Sequence, residues 1–107
     1  IHLYGVKCML NFNTKAELLD ALSAIPDDQW CIGDYTKGTS HCALGHLGFR
    51  DPLSQDDYRI NHDIDKKLRR AVPRWNFDTL HLVNDGHDAR FPQPTPKARV
   101  IAYINSL

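Results

Sequence analysis

Apolar residues in this chain recur at the three- or four-residue spacing of an α-helix, and each such segment lies between residues that start or stop helices. Thr14 and Glu17 form a capping box immediately before a leucine-rich run, which Pro26 closes. This pattern predicts a first helix over residues 14–25. A chain punctuated in this way is expected to build its core from the apolar faces of several short helices.

Three further helices follow from the same signals. Apolar residues at i, i+4 spacing form a stripe before Pro73, namely Ile60, Ile64, Leu68 and Val72. A short helix is expected to begin after an N-cap Asp78 and to end at the turn Asn84-Asp85-Gly86, where glycine supplies the left-handed conformation. Thr95 and Pro96 then provide the N-cap and the first residue of a last helix.

A polar segment separates the first helix from the apolar stripe. Residues 30–40 carry two glycines among polar side chains, which is typical of a loop or a short hairpin. Thr39 or Ser40 is expected to cap a short helix that begins near Cys42.

The N-terminal residues alternate between apolar and polar side chains. Every second position is apolar at Val6, Cys8, Leu10 and Phe12, which is typical of a half-buried strand. A lone strand leaves backbone groups unpaired, so this segment is expected to pair with a short strand after Trp30, to pair across a dimer, or to form an extended arm. The predicted fold is therefore mainly α, a compact small helical domain of about four to five helices with a short N-terminal strand, in a single domain over residues 1–107.

Composition narrows the class of partner. Hydrophobic residues make up 42% and charged residues 24%, and thirteen basic residues balance thirteen acidic ones. A net charge of zero argues against nucleic acid or an anionic membrane as the partner. No apolar run could span a bilayer, and the first residues show no basic start with an apolar core, so we expect no membrane segment, no signal peptide and a cytoplasmic location. Three cysteines without a Cys-x-x-Cys pair fit reduced thiols.

Rare, reactive and turn-forming residues are gathered into one part of the chain. It comprises Trp30-Cys31-Ile32-Gly33-Asp34, a polar loop and His41-Cys42-Ala43-Leu44-Gly45-His46. In one interpretation Cys42 is a close-packing residue, because free cysteine is among the most buried residue types. In the other, the start of a helix lowers the pKa of its thiol and makes it a nucleophile.

A nucleophilic Cys42 would need a histidine as its base. The candidates are His46, His81 and His87. His81 suits this role better than His46, because a base on the same helix face as the cysteine leaves little room for a substrate. Asn84 or Asp85 would then orient the imidazole ring.

Cysteine and histidine side chains are also the common ligands of zinc. Cys42 and His46 have the spacing of one ligand pair on a helix, but no second pair accompanies them. We therefore expect no metal ion and no cofactor.

Several of these residues recur together in a known pattern. Trp30, the glycine-containing loop, Cys42-Ala43-Leu44-Gly45, Asn84-Asp85 and the closing helix resemble an uncharacterised family of small bacterial and phage proteins. Members share a tryptophan, a Cys-Ala-Leu-Gly segment and a late Asn-Asp pair, and the resemblance covers about residues 14–107, one whole domain. It implies a protein encoded by a phage or mobile element, with no activity assigned. His46 departs from the small or apolar residue that the family more often has after the glycine.

We therefore expect the segment from Trp30 to Gly45 to pack against the Asn84-Asp85 turn. The expected binding or packing site consists of Trp30, Cys42, Gly45, His46, Asn84 and Asp85. The expected function is that of a small cytosolic accessory or interaction protein that binds another macromolecule, either a protein partner or a second copy through the N-terminal segment. The alternative is a thiol-dependent hydrolase or transferase that uses Cys42 as nucleophile, His81 as base and Asp85 to orient it.

Overall fold

Five α-helices and one two-stranded hairpin make up the part of the chain that the computed structural model describes, residues 10–38 and 40–107. The helices are α1 (Lys15–Ser23), α2 (Ala43–His46), α3 (Gln55–Ala71), α4 (Phe77–Asn84) and α5 (Pro96–Asn105). A 3-10 turn spans Asp27–Gln29, and β1 (Thr36–Lys37) pairs antiparallel with β2 (Ser40–His41). The predicted mainly helical class is confirmed, and the hairpin lies in the segment where a loop or hairpin was expected.

Two helix starts agree with the capping signals in the sequence. The Thr14 side chain accepts a hydrogen bond from the Glu17 amide at 3.1 Å, and the Thr95 hydroxyl accepts one from the Ala98 amide at 3.2 Å. These are the N-cap bonds that satisfy free amides in the first turn. Gly86 follows α4 with a φ of 81°, the left-handed conformation expected there.

Two other predicted caps are wrong. Asn76, not Asp78, caps α4, and its side-chain oxygen accepts a bond from the Thr79 amide at 2.9 Å. The N-cap of α2 is Cys42 itself rather than Thr39 or Ser40. Ser40 belongs to β2, so pairing with β1 fixes it in an extended conformation before the helix begins.

Only the end of the predicted N-terminal strand can be described. Residues 10–12 form no strand, and residues 1–9 lie outside the described part of the chain. Phe12 is buried in the core, and the Lys67 ammonium lies 4.6 Å from the centre of its ring.

The core forms where α5 packs against α1 and α4. Its largest fully buried apolar side chains come from α1, α3, α4 and α5: Leu18, Leu22, Leu68, Leu80, Val83 and Val100. From the predicted α3 stripe, Ile64 and Leu68 are buried, and Val72 is buried just after the helix ends. No helix of the described residues is long and apolar enough to cross a membrane.

Candidate functional site

The side chain of Asn84 joins the two segments that carry the sequence motif. Its Oδ1 accepts a hydrogen bond from the Ala43 amide at 2.9 Å, and its Nδ2 donates to the Cys31 carbonyl at 3.0 Å. Nδ2 also donates to Asp85 Oδ1 at 3.0 Å. Asn84 is only 1% exposed, so these partners replace the water that its amide loses on burial. The structure thus brings the start of α2 and the loop after Trp30 against the end of α4.

Asp85 links the same loop to a histidine. Its Oδ1 accepts a hydrogen bond from the Gly33 amide at 3.1 Å, and its Oδ2 lies 3.6 Å from Nε2 of His81, one turn earlier on α4. The side chain of His81 is 45% exposed, whereas that of Asp85 is 9% exposed. The carboxylate therefore lies near the imidazole, at a distance longer than a hydrogen bond.

Arg99 of α5 holds the end of α4, and sequence reasoning missed it. Its guanidinium donates to the carbonyls of Val83 at 3.0 Å, Asn84 at 2.8 Å and Gln93 at 3.0 Å. The last carbonyls of a helix have no partner within the helix, so a donor is needed there. The sequence shows that need at the Asn84-Asp85-Gly86 turn, but it does not show which distant cation meets it.

Gly45 lies against the backbone of the loop. A Cβ at this position would overlap the carbonyl of Tyr35. The same carbonyl accepts a hydrogen bond from the Cys42 amide at 3.2 Å. Glycine is required here because α2 and the loop are in direct backbone contact.

Trp30 and His46 form a separate buried cluster. Their ring centroids are 4.7 Å apart, and the ring of His41 lies 5.2 Å from that of His46. Nε2 of His46 donates to the Gln29 carbonyl at 2.8 Å, which fixes its tautomer. Burial lowers the pKa of His46 to about 4, so its ring is neutral at physiological pH.

A cleft of about 440 Å³ opens between the loop of residues 33–36, α2 and α4. We call it the Cys42 cleft; its lining residues are Gly33, Asp34, Tyr35, Thr36, Cys42, Leu44, Asp51, Phe77 and His81. Cys42 and His81 therefore reach one cleft, while Trp30 and His46 are not among its lining residues. Sequence reasoning did not single out Tyr35, Thr36, Asp51 or Phe77.

The Cys42 thiol is held in its protonated form. Cys42 is 4% exposed, and this burial raises the pKa of its thiol. The backbone amides of Gly45 and Leu44 act in the opposite direction, because they favour the thiolate. The lowered pKa expected from a helix start is therefore wrong, because desolvation outweighs the amides. Burial likewise raises the pKa of the Cys31 thiol, which donates to the Asp34 carbonyl at 3.4 Å.

No group of three or more histidine, cysteine, aspartate or glutamate side chains within residues 10–38 and 40–107 is arranged to hold a metal ion. Comparisons of this chain with protein-family models, with curated proteins and with solved structures find no match.

Proposed function

We propose that the protein is a small cytosolic binding protein and that the Cys42 cleft is its recognition site. The observation that carries this proposal is the cleft itself, whose volume of about 440 Å³ is in the range of known ligand pockets. Its lining combines rings and an aliphatic side chain with a few polar groups, the usual composition of a ligand site.

Hydrogen bonds on both sides support a preorganised cleft. Asn84 fixes the Ala43 amide on α2 and the Cys31 carbonyl in the loop, and Asp85 fixes the Gly33 amide. Binding to a site that is already ordered costs less conformational entropy than binding to a mobile loop.

A screen of small fragments by two-dimensional NMR tests this function. Fragments that bind are expected to shift the amide signals of Gly33, Thr36 and Leu44, which line the cleft. Thr36→Trp places a bulky ring in the cleft and should abolish these shifts. Lys37→Trp is the matched control, because the next residue of a strand points to the opposite face. A screen without shifts at these amides, or equal binding by the Thr36→Trp variant, would overturn the proposal.

A second candidate function is thiol-dependent acyl transfer, favoured by the presence of Cys42 and His81 in the lining of one cleft, with the Asp85 carboxylate 3.6 Å from the imidazole. His81 would accept the thiol proton as Sγ attacks an acyl carbonyl, and would pass that proton to the leaving group. Water would then hydrolyse the thioester, which releases a carboxylic acid and restores the thiol.

Alkylation kinetics separate the two functions. A catalytic Cys42 would react with iodoacetamide rapidly near neutral pH, and His81→Asn would slow that reaction. In a binding protein with a buried, protonated thiol, Cys42 is modified only as fast as the chain opens, whatever residue stands at position 81. Peptide mapping by mass spectrometry distinguishes Cys42 from Cys8 and Cys31.

The partner surface expected at the N-terminus is a separate proposal. We propose that residues 1–9, which lie outside the described part of the chain, bind a protein partner or a second copy. A truncated chain without these residues should remain folded and run as a monomer in light scattering if the full chain runs as a dimer. An unfolded truncation product, or a full chain that is already monomeric, would contradict self-association.

A further inference from the structure

Negative charge dominates the rim of the Cys42 cleft. The carboxylates of Asp34 and Asp51 line it, and no lysine or arginine of residues 10–38 and 40–107 is among its lining residues. Neither carboxylate forms an ion pair with another residue of the described ranges. Among the described lining residues the one basic side chain is His81, which already faces Asp85. Because the whole chain has no net charge, these two negative side chains in the lining reflect a local arrangement of charge.

The segments that carry both carboxylates are fixed by hydrogen bonds. The backbone carbonyl of Asp34 accepts a hydrogen bond from the Cys31 thiol. The amide of the preceding residue, Gly33, donates to the Asp85 side chain. Asp51 follows Arg50, whose amide and carbonyl both bond to the side chain of Asn61 on α3, at 3.1 and 2.8 Å. The backbone segments that carry the two carboxylates are therefore held beside the cleft by the fold.

Two aromatic rings add to the same surface. Tyr35 and Phe77 are half-buried in the lining, and the charge of Asp51 helps burial to raise the pKa of the Tyr35 hydroxyl. Phe77 packs edge-on against Phe49, with ring centroids 5.3 Å apart. Carboxylates beside aromatic rings are the combination that attracts organic cations, by Coulomb attraction and by the negative face of the ring.

We infer that the Cys42 cleft recognises an organic cation, an alkylammonium or alkylguanidinium group, through Asp34, Asp51 and the rings of Tyr35 and Phe77. This inference rests on the proposed function, since it names the class of ligand that the cleft takes. The group can come from a lysine or arginine side chain of a partner polypeptide or from a free amine, and the ligand chemistry is the same in both cases.

Butylguanidinium and butylurea form a matched pair of probes. They have the same shape, but the urea carries no charge. NMR titration of the full chain at neutral pH and low salt is expected to give at least about tenfold tighter binding of butylguanidinium, which corresponds to the loss of one charge-assisted contact. Equal affinities of the two probes would overturn the inference, whereas binding of butylurea at the cleft amides would leave the proposed function standing.

Substitution of the carboxylates tests their role directly. Asp34→Asn and Asp51→Asn keep the shape of the side chain, and the double variant should lose the preference for butylguanidinium over butylurea. Asp20→Asn, an exposed substitution on α1 with the same change in charge, should keep the preference within about twofold. Unchanged discrimination in the double variant contradicts the inference, and its affinity for butylurea serves as the control for an intact cleft.

One peptide distinguishes the source of the cation, and a second peptide tests the selectivity of the cleft for positive charge. A capped Gly-Arg-Gly peptide that binds more tightly than butylguanidinium points to a polypeptide partner, because its backbone adds contacts. Equal or weaker binding of the peptide points to a free amine or guanidine. A capped Gly-Glu-Gly peptide should not bind, and shifts of the cleft amides on its addition would contradict a cation-selective site.

Discussion

At the scale of single residues, the cleft depends on buried side chains whose hydrogen bonds join two separate segments of the chain. Asn84 is the clearest case, because its one amide group serves the Ala43 amide and the Cys31 carbonyl. Its position next to Asp85 made it a candidate from the sequence, and the structure places it at the centre of the site. Asp51 could not be found in this way, because a carboxylate in a loop carries no sign of which cleft it will face.

Replacement of Asn84 by alanine should destabilise the chain by about 3 kcal/mol. The variant leaves a buried donor and a buried acceptor without partners, and each such loss costs about 1–3 kcal/mol. The free energy of unfolding from urea titration measures the effect. Asn105→Ala, at an exposed position on the last turn of α5, is the control and should change it by less than about 0.5 kcal/mol. A small effect at Asn84 would mean that water reaches these groups.

His46 should make the protein less stable in mild acid. Its pKa in the folded state is about 4, below the value of 6.5 for a free histidine, so the unfolded chain binds the proton more tightly. The stabilising contribution is complete above pH 6.5 and is lost as the pH falls from 6.5 towards 4. The full difference is about 3 kcal/mol.

The variant His46→Gln removes this titration. We expect the loss of stability between pH 7.5 and 4.5 to be smaller in His46→Gln than in the control His62→Gln by about 2 kcal/mol. His62 is exposed on α3 and makes no comparable burial change. Identical pH profiles of the two variants would show that His46 does not titrate with folding.

At the scale of elements, helices whose signals are local in the sequence were predictable. The start of α1 at Thr14 and the start of α5 at Thr95 depend on bonds within one turn, so the sequence shows them directly. The start of α4 also depends on a local bond, but its cap is Asn76, two residues before the predicted cap Asp78. The start of α2 depends on long-range contacts, because the Ala43 amide donates to the Asn84 side chain and α2 packs against α4 and α5. The cleft follows from these same long-range contacts, which explains why its lining was only partly predicted.

Gly45→Ala should destabilise the protein, although alanine is normally the better residue in a helix. At an unconstrained helix position this change stabilises by about 1 kcal/mol. At Gly45 the new Cβ would collide with the Tyr35 carbonyl, a backbone atom that cannot rotate away. We expect a net loss of at least about 2 kcal/mol in thermal or urea unfolding.

The control for this prediction is Ser23→Ala at the exposed end of α1, which tests helix propensity alone and should be neutral or slightly stabilising. A stabilising effect of Gly45→Ala would contradict the close contact between α2 and the loop. Displacement of Tyr35 in the variant should also weaken the binding of any ligand to the Cys42 cleft, because Tyr35 lines the cleft.

At the scale of the whole molecule, the geometry of the cleft depends on contacts that span most of the chain. Helix α5 packs against α1 and α4, and Arg99 connects it to the carbonyls that end α4. Asn84 is the last residue of α4 and Asp85 follows it, and their side chains bond to Ala43 of α2 and to Gly33 of the loop. The C-terminal helix therefore positions a site with which it has no lining residue in common.

Arg99→Lys should lower both global stability and the order of the cleft. A planar guanidinium reaches the carbonyls of Val83, Asn84 and Gln93 together, whereas a lysine ammonium is a point charge that does not reproduce this fork. We expect a loss of about 2 kcal/mol in urea unfolding and a changed NMR signal of the Ala43 amide, which bonds to the Asn84 side chain. Arg70→Lys on the exposed face of α3 is the control and should alter neither quantity. Loss of stability with an unchanged Ala43 signal would show that Arg99 only fastens α5 to α4, and the positioning of the cleft would then have to come from the Asn84 bonds alone.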